Sequence, residues 1–257
     1  MELFDAHAHL GAEEFAGDLP EVLGRAKAVG VCGVLTVGET LEEAGRILTL
    51  AERHPMIRPA AGLYPTILDR DAAEAMVTFV RTHADRLVAL GEVGVDHWVV
   101  KDEAGWKIQE EILARFVVLS NELNLPLNIH SRSAGRHAIG FLKEQGARRV
   151  LMHAFDGKSS AAAEGVRAGF FFSIPPSAVR SPQKQKLVRQ LPLECLLLET
   201  DSPVLGPDPT LRNEPRNVTV ACEAVASLKG VPADEVARVT TDNARRLFPR
   251  AFPPPPG

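Results

Sequence analysis

The first residues that could do chemistry are two histidines near the start of the chain, in Asp5-Ala6-His7-Ala8-His9. Because side chains alternate along a strand, Asp5, His7 and His9 would point to the same side of it. Buried histidines are uncommon and need polar partners, so packing explains this pair poorly. By itself the stretch fits either two ligands of one cation or a surface pair at a frayed end. The rest of the chain must show whether further ligands exist.

Residues of the same types recur where later apolar runs end: Glu92, His130, His153 and Asp201. Each alone could be a core histidine, a turn carboxylate or a helix cap. Together they predict one polar site, and they exceed the three protein ligands that a single catalytic ion usually takes. We therefore expect two divalent ions, zinc, manganese or magnesium, sharing a bridging carboxylate.

Two such ions would activate a water molecule and polarise a phosphoryl or carbonyl oxygen. Asp201, which follows the last predicted strand, would ligate a metal and accept the proton of the attacking water.

The chain that carries these residues consists of short apolar runs alternating with amphipathic helical patterns. The predicted strands are Glu2–His7, Cys32–Val37, Ile57–Leu63, Leu87–Val93, Pro126–His130, Val150–His153, Phe170–Ile174 and Leu196–Glu199. Near-continuous apolar strands are typical of a parallel sheet covered on both faces. A doubly wound open sheet shares this alternation. The strand count and the polar residues at strand ends favour a single-domain (β/α)8 TIM barrel, with the metal site at the C-terminal face of the strands.

Composition limits the function. With a net charge of −4 over 257 residues, the chain is not a bulk electrostatic binder of nucleic acid, so a polyanion would need a local basic patch. The three cysteines are far apart and form no C-x-x-C pair, which predicts reduced thiols in the cytoplasm, with the nucleus as an alternative. We expect no secretion signal, no membrane span and no obligate protein partner. The barrel is predicted over 1–250 and a proline-rich disordered tail over 251–257.

Motifs along nearly the whole chain resemble those of the TatD-related deoxyribonucleases, in the metallo-dependent amidohydrolase superfamily. They are Asp5–His9, Gly91–Asp96 (GEVGVD), Asn128–Arg132 (NIHSR), His153–Gly157 (HAFDG), Glu199–Pro203 (ETDSP), Arg212–Pro215 (RNEP) and Thr241–Asn243. The D-x-H-x-H opening is shared by the superfamily, whereas the full series is specific. Ser131–Gly135 and Phe172–Ser177 are most similar to the third animal paralogue that carries the TatD DNase domain.

The resemblance implies a divalent-metal-dependent deoxyribonuclease that acts on DNA or a nucleotide. It places one metal on His7, His9, Glu92 and Asp201, and a second on Glu92, His130 and His153. Glu92 is then the bridge and, with Asp201, a catalytic residue. Asp5 lies deeper on the same strand face and is better interpreted as a supporting carboxylate.

Substrate contacts are predicted separately. Arg132, two residues after a metal ligand, is the best placed to bind a phosphate, and Arg212 is second, although it could equally pair with a loop carboxylate. Tyr64 and Phe155 are the stacking candidates nearest strand ends, while packing is the default interpretation of Trp98 and Trp106.

The family commonly has aromatic residues where this chain has His97 and Val204, so two possible stacking surfaces are missing. An alternative substrate is therefore a small ester, lactone, amide or phosphomonoester. A third hypothesis, a scaffold with structural metals, has no support in the sequence.

Overall fold

A computed structural model describes residues 1–252 and places eight parallel strands in one sheet, ordered β1 to β8 along the chain. The strands are β1 Leu3–Ala8, β2 Val31–Gly38, β3 Ile57–Ala61, β4 Ala89–Gly94, β5 Leu127–His130, β6 Val150–Met152, β7 Phe171–Ile174 and β8 Leu196–Leu198. Past the end of β8, the N–H of Asp201 donates to the carbonyl of His7, and the N–H of His9 donates to the carbonyl of Ser202. These bonds join the last strand to the first, so the predicted barrel is confirmed.

Helices cover the outside of the sheet. They are α1 Leu19–Ala28, α2 Leu41–Arg53, α3 Arg70–Thr82, α4 Glu103–Leu123, α5 Gly135–Glu144, α6 Ser159–Arg167, α7 Pro182–Gln190, α8 Val218–Lys229 and α9 Ala233–Leu247. Polar caps fix several starts: the Thr40 hydroxyl accepts from the N–H of Glu43, and the Asp102 carboxylate accepts from the N–H of Gly105. No helix within residues 1–252 is long and apolar enough to cross a membrane.

The N-terminal end of the barrel is closed by aromatic side chains. Phe4 packs against Phe248 and Phe252, with ring centroids 6.3 and 4.9 Å apart. Ala251 is buried against the same cluster. The barrel therefore includes Ala251 and Phe252, two residues that the sequence analysis assigned to the tail. The remainder of that tail, 253–257, lies outside the described residues.

Two glycines let β4 approach β5 closely. A Cβ added to Gly91 would lie 2.7 Å from the carbonyl oxygen of Asn128, and one on Gly94 would lie 2.0 Å from that of His130. Any larger residue would push the strands apart at these positions. The glycines thus keep Glu92, which lies between them, beside the end of β5.

Candidate metal centre

The six predicted ligands converge at the C-terminal ends of the strands. They are His7 in β1, His9 just after it, Glu92 in β4, His130 at the end of β5, His153 after β6 and Asp201 after β8. Five of them are buried and His9 is half-buried. All but His7 line a cavity of about 710 Å³ that opens at this face. Parallel strands of a barrel end at one face, which is why residues far apart in sequence meet here.

The carboxylate of Glu92 lies between two groups of ring nitrogens. Its Oε1 is 2.6 Å from Nδ1 of His130 and 2.7 Å from Nε2 of His153. Its Oε2 is 3.6 Å from Nε2 of His7 and 3.7 Å from Nε2 of His9. Each oxygen of the same side chain therefore faces a different pair of histidines.

The first pair also contacts a second carboxylate. Nε2 of His7 and Nε2 of His9 are 3.1 Å apart, and Oδ1 of Asp201 lies 3.2 Å from the latter and 3.5 Å from the former. Two ring nitrogens this close cannot both carry a hydrogen pointing at the other, so at least one presents a lone pair.

The donor set fits divalent ions. The ligand atoms of His7, His9 and Asp201 lie within 4.8 Å of one another, and so do those of Glu92, His130 and His153. Imidazole and carboxylate donors suit zinc, manganese and similar ions. Within residues 1–252, the buried Nδ1 of His153 has no hydrogen-bond partner, and it lies 3.9 Å from Oε2 of Glu199.

Burial and the surrounding charges set the protonation states. Burial lowers the pKa of His7 to about 3, so this ring is neutral and able to ligate. Burial acts in the same direction on His9, but its hydrogen bond to Asp201 and the charges of Asp201 and Glu92 outweigh it and raise the pKa to about 10.

The second histidine group is also held charged by carboxylates: Asp96 and Glu92 raise the pKa of His130 to about 9. Burial opposes ionisation of Glu92, yet His153 and His130 hold its pKa well below the usual range. An incoming ion would displace the histidine protons.

Hydrogen bonds behind the ligands fix the ring orientations. Nδ1 of His7 lies 2.9 Å from Oδ1 of Asn128, and Nε2 of His130 lies 2.9 Å from Oδ2 of Asp96. Such partners orient metal-binding imidazoles. Asp5, interpreted from the sequence as a supporting carboxylate, accepts from the N–H and hydroxyl of Thr200 at 2.8 and 2.5 Å. It thereby holds the segment that carries Asp201.

Two residues that line the cavity were missed by the sequence analysis. Oε1 of Glu39, which follows β2, lies 3.5 Å from Nδ1 of His9, and burial raises the pKa of this carboxyl to about 7. Its position directly after an apolar strand was a usable signal. Nζ of Lys184 in α7 donates to the carbonyl of Ala154 at 2.9 Å and is buried. Nothing in the helical pattern distinguishes this lysine from its neighbours.

Of the four residues predicted to contact the substrate, two line the cavity and two do not. Arg132 lines the cavity. Arg212 does not, because its guanidinium pairs with Asp18 at 2.6 Å and with Glu214 at 3.2 Å. Tyr64 also lines the cavity, whereas Phe155 is buried in the core and offers no face to a ligand.

Comparisons with known proteins show which family the whole chain belongs to. The model of the family described as TatD related DNase matches residues 4–249. "Deoxyribonuclease TATDN3" of Homo sapiens is 46% identical, covering 96% of this chain and 95% of that protein. "Uncharacterized metal-dependent hydrolase YabD" of Bacillus subtilis is 37% identical, covering 96% and 98%. The crystal structure of YjjV, a TatD homologue from Escherichia coli, superposes with a TM-score of 0.89 at 27% identity over 98% of each chain.

Fold, ligand groups and relatives define the class: the protein is a metal-dependent hydrolase built on a (β/α)8 barrel. More particularly, the chain belongs to the TatD related DNase family. The resemblance seen in the sequence, including that to the third animal paralogue, is confirmed.

Proposed function

We propose that this chain is a two-metal phosphodiesterase that hydrolyses DNA. The observation that carries the proposal is the position of Glu92, whose Oε1 faces His130 and His153 while Oε2 faces His7 and His9. A carboxylate shared between two histidine pairs is suited to hold two divalent ions side by side.

In this proposal one ion is held by His7, His9, Glu92 and Asp201, and the other by Glu92, His130 and His153. When bound, such ions lower the pKa of a water molecule and polarise a phosphoryl oxygen. Zinc, manganese and magnesium are all candidates for the native metal, since availability often decides among them.

Two side chains have separate roles in the reaction: one accepts a proton and the other binds the substrate. Asp201 accepts the proton of the attacking water, because its Oδ1 lies beside the ring nitrogens of His7 and His9. These two histidines hold the pKa of Asp201 low against the effect of burial, so the carboxylate is ionised. The guanidinium of Arg132, exposed at the same cavity, binds a phosphate oxygen next to the scissile bond. Relatives named deoxyribonuclease support DNA as the substrate.

The test is the Asp201→Asn variant on a DNA oligonucleotide, with zinc, manganese and magnesium supplied in turn. We expect the metal-free protein to be inactive and the variant to lose about 100-fold or more in kcat, as when a positioned general base is removed. A variant that kept most of the activity would contradict the mechanism.

A panel of small esters, lactones and phosphomonoesters separates the alternative substrate class. If the substrate were a small ester or amide, Arg132→Ala would barely change turnover and the oligonucleotide would not be cleaved. If it is DNA, Arg132→Ala raises KM for the oligonucleotide and leaves the small esters poor substrates.

From the cysteines we further propose that the protein works in a reducing compartment, the cytoplasm or the nucleus. All three cysteines, which lie within residues 1–252, are unpaired, and Cys195 and Cys222 are buried. Burial raises the pKa of the Cys222 thiol to about 11, so this group is unreactive.

A further inference from the structure

A large aromatic side chain is exposed beside the cavity. Trp98 lies in the loop between β4 and α4, and 56% of its surface is accessible to solvent. The Arg132 guanidinium lies 5.3 Å from the centre of its ring, and Nζ of Lys101 lies 4.9 Å from it. Since Arg132 lines the cavity, the indole is separated from the cavity by this one side chain.

Hydrogen bonds tie the backbone of Trp98 to a metal ligand. Oδ1 of Asp96 accepts from the N–H groups of Trp98 and Val99, both at 2.7 Å, while Oδ2 of the same carboxylate lies 2.9 Å from Nε2 of His130. One buried aspartate therefore fixes the start of this loop and the ring of His130 together.

A second contact ties the same loop to the arginine. The N–H of His97 donates to the carbonyl of Arg132 at 3.0 Å. These bonds hold the backbone that carries the indole, and the loop that carries the guanidinium, in a fixed position relative to the candidate metal ligands.

Lys101 and Arg132 bind the Trp98 ring more weakly than a stacked nucleobase would. A cation over an exposed ring strengthens an interaction by about 2- to 5-fold, whereas a base stacked on an aromatic residue strengthens binding by about 5- to 150-fold. A base arriving at Trp98 would displace a cation, and the displaced lysine or arginine could then meet a phosphate of the same strand.

We propose that Trp98 stacks an unpaired nucleobase adjacent to the phosphate that Arg132 binds. In a duplex each base is covered by its neighbours, so only a single strand or an unpaired position offers a free face. Trp98 thereby selects single-stranded over double-stranded substrates. This inference rests on the proposed nuclease function and adds to it a residue that contacts the base.

The experiment measures binding without cleavage, in the Asp201→Asn background, by quenching of tryptophan fluorescence with an oligothymidylate. Trp106→Phe is the matched control, because it removes the other tryptophan. Trp106 is half-buried, and its indole N–H donates to the carbonyl of Val100. We expect quenching in the Trp106→Phe protein and none in the Trp98→Phe protein. Trp98→Ala should weaken binding by about 5- to 150-fold, and Trp98→Phe should restore part of it.

A strand of abasic spacers isolates the phosphate contribution. Trp98→Ala should bind this strand, and a blunt duplex, as the parent does. Equal affinities of Trp98→Ala and its parent for oligothymidylate would overturn the stacking proposal while leaving the nuclease proposal intact, provided that the wild-type protein cleaves single strands. A wild-type protein that neither bound nor cleaved any oligonucleotide would overturn both.

Discussion

Asn128 determines which nitrogen of His7 is free to bind a metal. Nδ2 of Asn128 donates to the carbonyl of Ala6 at 3.1 Å, which leaves Oδ1 as an acceptor 2.9 Å from Nδ1 of His7. Nδ1 must therefore carry the hydrogen, and Nε2 presents its lone pair toward His9. One amide on β5 thus sets the tautomer of a histidine on β1.

Replacing this amide should weaken metal binding. Asn128→Leu keeps the side-chain size but removes the acceptor, so the His7 ring loses its fixed tautomer. We expect the affinity for zinc to fall by about 10- to 100-fold, measured by competition with a chelator. Asn121→Leu, which removes an amide that donates to the carbonyl of Gly146 on the outside of the barrel, is the control. Equal affinities for the two variants would show that Asn128 does not orient the ligand.

The position of Glu92 predicts a pattern of metal stoichiometry. Because its two oxygens face different histidine pairs, Glu92→Gln should lower the binding of both ions. Asp201→Asn should weaken mainly the ion held with His7 and His9, and His130→Ala mainly the other. Elemental analysis after gel filtration gives the number of ions per chain. Loss of a single ion from Glu92→Gln would contradict its role as a bridge.

Removal of Arg132 should weaken substrate binding, whereas removal of Arg212 should lower stability. Arg132→Ala takes a charged donor from the cavity and should raise KM for an oligonucleotide by about 10-fold or more. Arg212→Ala should leave KM within about 2-fold and instead lower the free energy of unfolding slightly, because water screens this surface pair with Asp18. Steady-state kinetics and urea unfolding measure the two effects. A large KM change in Arg212→Ala would return this residue to the substrate site.

The ion pairs of Glu214 should make part of the stability pH-dependent. The hydrogen bond from Arg25, whose Nε and Nη2 both lie 2.9 Å from the carboxylate, holds the pKa of Glu214 below its ordinary value of 4.5. A carboxyl whose pKa is lowered by folding stabilises the protein above the unfolded pKa, and that contribution is lost as the pH falls through the folded value.

Arg25→Met should therefore lower Tm at pH 7 and have a diminishing effect below about pH 4. Arg46→Met, which breaks an exposed pair with Glu42, should show little change at either pH. The same Tm difference at both pH values would contradict the assignment.

The barrel and the residue types at the candidate metal centre could be predicted from local sequence patterns. Eight apolar runs alternating with amphipathic helices define parallel strands, and the residue that ends each run must lie at the catalytic face. That rule predicts the meeting of His7, Glu92 and His130 from local pattern alone, because it depends only on strand direction.

The orientation of these side chains, and the residues that lie between them, could not be predicted from such patterns. The pairing of Arg212 with Asp18, the contact of Lys184 with Ala154 and the exposure of Trp98 all depend on distances between segments far apart in the chain. A strand pattern fixes which face a residue points to, but side-chain rotamers and loop paths follow from packing against distant elements. The ligand types are therefore a local property of the sequence, whereas the surface that meets the substrate is a property of the fold.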